Sequence, residues 1–209
     1  MCKQTKGTTP VCHSFLSDPI FYQFLFKIDQ DIAAEVQARG CPCGGVLHSA
    51  RYPRKPRGIR SALDETYCTR LSFCCAEDGC RRRTTPPSVR FLGRKVYLGV
   101  MVLLMTAIGH GLSAQHRQAL IEAVNPSPQT LWRWRRWWQG TFPKSRCWKA
   151  EQGLFIPPIP SQQLPDDLLE RLTPTSLMMK TCHVLRLVAP TTTDSRVGFL
   201  RVGIDPQRM

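Results

Sequence analysis

"GCPCGGVLH" (40–48) and "FCCAEDGC" (73–80) each set two closely spaced cysteines beside glycine, with roughly 30 residues between them. No other feature of the chain restricts its fold as much. A tetrahedral metal site wants four soft ligands delivered as two tight turns, because each turn aims two thiolates at one point. Glycine lets backbone amides turn toward the sulfurs, which favours the thiolate form. The spacing selects Cys41, Cys43, Cys75 and Cys80 as ligands of Zn2+. It also departs from the common C-x-x-C pattern, being C-x-C in the first half and C-x4-C in the second. Cys74 therefore competes with Cys75, and His48 can stand in for a cysteine.

Two other chemistries fit the same residues. The cysteines can be ordinary buried thiols, packing as small hydrophobes. They can also be redox or catalytic thiols, but a cysteine hydrolase needs a partner histidine, and none of the five histidines sits in a recognisable motif. A closed four-ligand shell leaves no open position for chemistry, so the site is expected to be structural. Cys2, Cys12, Cys68, Cys147 and Cys182 have no assigned partner.

Positive charge surrounds the cysteines. "RYPRKPRGIR" (51–60) carries Arg51, Arg54, Lys55, Arg57 and Arg60, and Arg81, Arg82 and Arg83 follow the last proposed ligand directly. The whole chain has 29 Lys and Arg against 15 Asp and Glu, a net charge of +14 over 209 residues. Such an excess attracts a polyanion, most simply nucleic acid, and extended basic loops on a rigid staple suit phosphate contact. A solvated charge run is the plainer alternative. An anionic membrane is the rival partner, and it needs an anchor. The most apolar run, Val96 to Ile108, is about 13 residues against the roughly 20 needed to span a bilayer. The first residues also lack the apolar core of a secretory signal. Many cysteines without such a signal imply a reducing compartment, so the expected location is cytoplasmic and nucleoid-associated.

The chain reads as mainly α with a small β zinc ribbon. Residues 1–40 hold an N-terminal amphipathic helix, with Asp18 as N-cap, Pro19 at its first position and Gly40 as terminator. Phe21, Phe24, Leu25, Ile28, Ile32 and Val36 recur at helical spacing and form its buried stripe. Residues 41–92 form the basic, zinc-ribbon-like segment, too poor in apolar residues to fold without a staple. Residues 93–140 form a three-helix unit. Val96–Ile108 is apolar nearly all round, Ser113 caps a second helix to about Val124, and Ser127 with Pro128 starts a third to about Gln139. Residues 141–209 are a Pro-rich C-terminal tail with short helices near 166–172 and 175–187.

"LSAQHRQALIEAVNPSPQTLWRWRRWW" (112–138) has the layout of a helix-turn-helix. Ala119, Leu120, Ala123, Leu131, Trp134 and Trp138 are its expected inward residues. Gln129, Thr130, Arg133 and Arg136 then point the other way, and Arg and Gln are residue types that read guanine and adenine. Trp132 and Trp137 either pack under the tail or stack with a partner. A plain amphipathic helix with a basic face is the alternative. On Ser127, Thr130, Leu131, Arg133 and Trp134, about 30 residues resemble the recognition helix of bacterial transposase helix-turn-helix modules. Together with the cysteine segment, region 40–140 resembles the zinc-ribbon plus helix-turn-helix front end of insertion-sequence proteins.

That resemblance implies a DNA-binding protein of mobile-element type, acting on double-stranded DNA beside a transposase or integrase encoded nearby, with no small-molecule substrate. A truncated or accessory transposase subunit is the first alternative. Strand transfer needs three acidic side chains converging on paired metals. The acidic pairs Asp64–Glu65, Glu77–Asp78 and Asp166–Asp167 do not supply them, so an enzyme is not expected. A zinc-stapled RNA-binding or protein-interaction adaptor is the second alternative.

Overall fold

A computed structural model describes residues 18–54, 56, 65–92, 99–107, 118, 125–173 and 176–193. Among them the chain is mainly helical, with a small antiparallel sheet. Helix α1 (Pro19–Ala38) starts at Asp18, whose carboxylate accepts the Ile20 N–H at 2.9 Å. It ends at Gly40, where a φ of +72° turns the chain left-handed, a conformation that costs glycine nothing. Its buried face consists of Phe21, Tyr22, Leu25, Ile28, Asp29, Ile32, Ala33 and Val36. Phe24, expected in that stripe, is instead 42% exposed, because the face is centred one position further round, on Tyr22 and Asp29.

Five short strands follow: β1 (Leu47–Ser49), β2 (Tyr52–Pro53), β3 (Thr69–Arg70), β4 (Phe73–Cys75) and β5 (Arg83–Thr84). The strands β1, β4 and β5 make one sheet in that order, and β2 pairs with β3. All pairings are antiparallel, with Leu47 opposite Cys75, Tyr52 opposite Arg70 and Cys74 opposite Arg83. The Ala50 N–H donates to the Ser72 carbonyl at 2.8 Å, so both ladders belong to one long hairpin. Residues 76–82 then turn the chain back into β5.

One buried polar network locks this hairpin to α1. Asp29 accepts from Ser88 Oγ at 2.6 Å, from the Val89 N–H at 2.7 Å and from Arg90 Nε at 2.8 Å. Arg90 also donates to the Thr69 carbonyl at 2.9 Å and to the Tyr67 carbonyl. The rings of Phe26, Tyr67 and Phe91 lie 4.6–5.0 Å from its guanidinium. A buried ion pair persists only when further hydrogen bonds satisfy both partners, and here they do.

The rest is helical. In α2 (Gly99–Thr106) all eight residues are buried, as its all-round apolar sequence requires. It lies between α3 (Pro128–Arg136) and α6 (Leu177–Val188), with α4 (Arg146–Glu151) and α5 (Asp166–Arg171) packed on α6. Gly99 sits where a Cβ would meet the Val89 carbonyl at 3.0 Å and Leu185 at 3.1 Å, so α2 approaches both neighbours closely. The helix begun at Ser127 remains α-helical only to Arg136. Residues 137–141 widen into a π-turn and 142–144 tighten into a 3-10 turn, where Gly140 and Pro143 weaken the α ladder.

Helices do occur close to the expected ranges 166–172 and 175–187. The segment expected to be a tail is part of the core, however. Phe142, Trp148, Leu164, Leu168, Cys182, Val184, Leu185 and Val188 are buried in the same apolar cluster as α1 and α2. Its prolines shape the turns between core elements. The expected helix from Ser113 to Val124, with Ala119, Leu120 and Ala123, lies outside the described residues apart from Gln118, as do Lys55 and Arg57.

Candidate metal centre and basic surface

Two turns carry the four selected cysteines. In the first, the Gly44 N–H donates to the Cys41 carbonyl at 2.8 Å, and the Cys41 N–H donates to the Gly45 carbonyl at 2.9 Å. Gly44 has a φ of +88°. Gly45 is required for space, since a Cβ there would lie 2.8 Å from Cys75 Sγ and 3.4 Å from Cys43 Sγ. In the second turn, the N–H groups of Cys80 and Arg81 both donate to the Glu77 carbonyl at 3.0 Å. The β1–β4 ladder holds the two turns side by side.

The four sulfurs converge. Cys41 and Cys80 Sγ are 3.7 Å apart, Cys43 and Cys75 Sγ are 3.5 Å apart, and all four atoms lie within 4.8 Å of one another. A metal bound to four thiolates at about 2.3 Å sets sulfurs about 3.8 Å apart. The cluster can therefore hold a metal ion. Cys41 and Cys75 are buried, Cys80 is half-buried and Cys43 is exposed, so one edge of the cluster meets solvent.

Backbone and burial divide the thiols. The Gly45 N–H, aided by the neighbouring thiols, lowers the Cys43 thiol to about 7. Burial pushes Cys75 up to about 12, against the Glu77 N–H. The Cys43 N–H draws Cys41 down, but burial and its thiol neighbours outweigh it, and Cys41 is raised. One thiolate forms readily, whereas the buried ones need a cation at the centre of the cluster.

Neither competing ligand joins the cluster. Cys74 is on the opposite face of β4 from Cys75, and its sulfur lies 3.5 Å from the Arg81 carbonyl. His48, paired with Cys74 across the ladder, is exposed on that outer face. Strand alternation decides both. Cys147 and Cys182 are buried in the helical region, and burial raises both thiols, Cys182 to about 12.

The basic residues lie on two surfaces. On the hairpin, Arg82 and Arg83 are exposed and Arg54 is half-buried, with Arg54 and Arg83 at 5.4 and 5.8 Å from the Tyr52 ring. Arg81 is engaged by Asp78. Trp134 on α3 (2% exposed) and Trp138 in the turn after it (0%) anchor the helix inward, while Gln129, Arg133 and Arg136 are exposed. Thr130 is half-buried at the cap, where its N–H donates to Ser127 Oγ at 3.2 Å and its hydroxyl lies 3.0 Å from the same oxygen. Trp137 packs on Trp138 and Phe142, whereas Trp132 stays 56% exposed.

The network of Asp29, Ser88 and Arg90 was not foreseen from the sequence. Its signal is an aspartate within the apolar stripe of α1, between Ile28 and Ile32. No protein-family model matches the chain, and no curated protein or solved structure matches it. No helix among the described residues is long and apolar enough to cross a membrane.

Proposed function

We propose that the four cysteines hold a structural zinc ion and that the chain is a DNA-binding protein of the kind associated with bacterial mobile elements. In this reading the zinc fixes a ribbon that presents Arg54, Arg82 and Arg83 to phosphates, and α3 meets the bases. The observation that carries it is the division of α3. Trp134, with Trp138 in the turn that follows, is buried on one side, and Gln129, Arg133 and Arg136 are exposed on the other, with no acidic residue in the helix. A helix held inward by large rings offers its opposite side to a groove without reorganising. The residue types exposed on α3 suit direct readout: Arg for guanine, Gln for adenine. A protein of this kind works in the cytoplasm on the nucleoid, beside a transposase or integrase.

Titration of duplex DNA tests the reading. Binding should weaken with salt at a log–log slope on the order of −5 to −8, as expected if about six to nine phosphates are neutralised. Arg133→Ala should cost roughly 1–3 kcal/mol on a selected site and much less on scrambled DNA. Arg82→Ala should weaken both DNAs about equally. A flat salt response, or no binding at low salt, removes nucleic acid from consideration. Equal losses for Arg133→Ala on both DNAs, with the fold intact, leave a charged adaptor as the better account.

A further inference from the structure

Gln129, Trp132, Arg133 and Arg136 follow the spacing i, i+3, i+4, i+7 and therefore share one face of α3. A flat indole thus lies on the face given above to base contact. All five tryptophans of the chain lie within the described residues, and their environments differ. Trp134, Trp138 and Trp148 are at most 3% exposed, Trp137 is half-buried against Trp138 and Phe142, and Trp132 is 56% exposed. Trp132 contributes little to the core. The Arg136 guanidinium is stacked over its ring at 5.2 Å from the centroid.

An indole has no acceptor and a single N–H donor, so it is poorly suited to reading base edges by hydrogen bonds. Its large π-face is well suited to stacking on another ring, and a base stacks only when it is out of the duplex or unpaired. Arg133, Arg135 and Arg136 surround it with positive charge, which matches the phosphates flanking such a base. The arginine against one face of the ring both orders it and strengthens the site by cation–π contact. Resting on the DNA-binding reading above, we infer that Trp132, backed by Arg136, is a stacking platform for an unpaired base, and that the preferred ligand is duplex DNA interrupted by unpaired nucleotides.

The test compares three DNAs of equal length: a full duplex, the same duplex with a central run of unpaired thymines, and single-stranded oligothymidine. An RNA of the bubble sequence distinguishes a DNA ligand from an RNA one. Wild-type protein should prefer the bubble to the duplex by about tenfold, the scale of one stacked base. Trp132→Ala should erase that preference, and Trp132→Phe, which keeps a ring, should retain most of it. Bubble DNA should quench the solvent-exposed part of the tryptophan emission, and Trp132→Phe should abolish the quenching. Metal content and melting curves confirm that each variant is folded. Equal wild-type affinity for bubble and duplex, or a preference that survives Trp132→Ala, overturns the platform and leaves the duplex reading standing. Tighter binding of the RNA bubble overturns the DNA assignment, and binding to none of the nucleic acids overturns both readings.

Discussion

The cysteine end of the hairpin and the aromatic helical region are held together in opposite ways. At the hairpin end, two turns with few apolar side chains are brought together by four sulfurs and one antiparallel ladder. In the helical region, Trp137, Trp138, Phe142 and Trp148 pack ring against ring, and every residue of α2 is buried. Stability at the first end depends on ligands that are present or absent. In the second it is spread over buried area, where each ring adds its share. Between them lies a third device, the Asp29–Arg90 pair, which is polar like the first and buried like the second. Four sulfurs thus converge at one end of the hairpin, and a buried charge pair holds the other.

The largest effect should come from Cys75→Ser. Removing this buried sulfur should eliminate stoichiometric zinc and loosen residues 40–48 and 73–83, while the helical region keeps its structure. Elemental analysis and amide hydrogen exchange would show both. Cys74→Ser is the sharp control, because its sulfur is on the other face of β4 and the metal should stay. Equal metal loss in both variants would break the contrast between the two faces.

Next come two substitutions of similar size and different origin. Asp29→Ala leaves the Arg90 guanidinium buried without its counter-ion, which costs about 3–5 kcal/mol. Trp134→Ala leaves a cavity and should also cost about 3–5 kcal/mol. Urea denaturation measures both. A second change separates them: Arg90→Met added to Asp29→Leu removes the unpaired charge but leaves Ser88 Oγ, the Val89 N–H and the Tyr67 and Thr69 carbonyls without their partners. It should therefore restore only part of the loss. If the double variant is as unstable as Asp29→Ala, the loss comes from the broken hydrogen bonds of the network rather than from the unpaired charge.

How these regions were foreshadowed differs as well. Local signals were visible in the sequence because their physics is local. Asp18, Pro19 and Gly40 bound α1, Ser127 and Pro128 start α3, and the glycine-flanked cysteines sit in tight turns. The inward placing of Trp134 and Trp138 follows from helical period alone. Residues 141–193 were harder to read, since prolines suggest loose chain while burial is decided by distant partners such as α2. The partners of Asp29 are 59 to 61 residues away in sequence, beyond the reach of any periodicity. The α ladder of α3 ends early, at Arg136, where Trp137 and Trp138 meet the Phe142 ring.

A smaller effect sharpens the contrast within the helical region itself. Ser127→Ala removes the oxygen that accepts the Thr130 N–H and should cost about 1 kcal/mol. The loss is local to the first turn of α3, so thermal melts should move slightly while Gln129 and Thr130 exchange faster. An unchanged melt together with unchanged exchange would mean that Trp134 and Trp138 hold the helix without its cap.

The smallest effect concerns acid, to which the two regions should respond by different groups. His183 lies on α6 and is 9% exposed; burial, reinforced by the Arg186 charge, lowers its pKa below the ordinary value. The unfolded chain keeps that ordinary value of about 6.5. Between the folded value and about 6.5 the unfolded state therefore binds more protons, and stability rises with pH through that window. The penalty is absent above about 6.5, grows as the pH falls through it, and levels off below the folded value. Acid also protonates thiolates and would release any metal they hold, so wild-type melts alone mix the two causes. His183→Gln separates them, because both proteins keep all four cysteines. The gap in melting temperature between variant and wild type should shift in favour of the variant from about pH 8 to about pH 5. A gap that stays constant over that range would show that His183 does not titrate differently on folding.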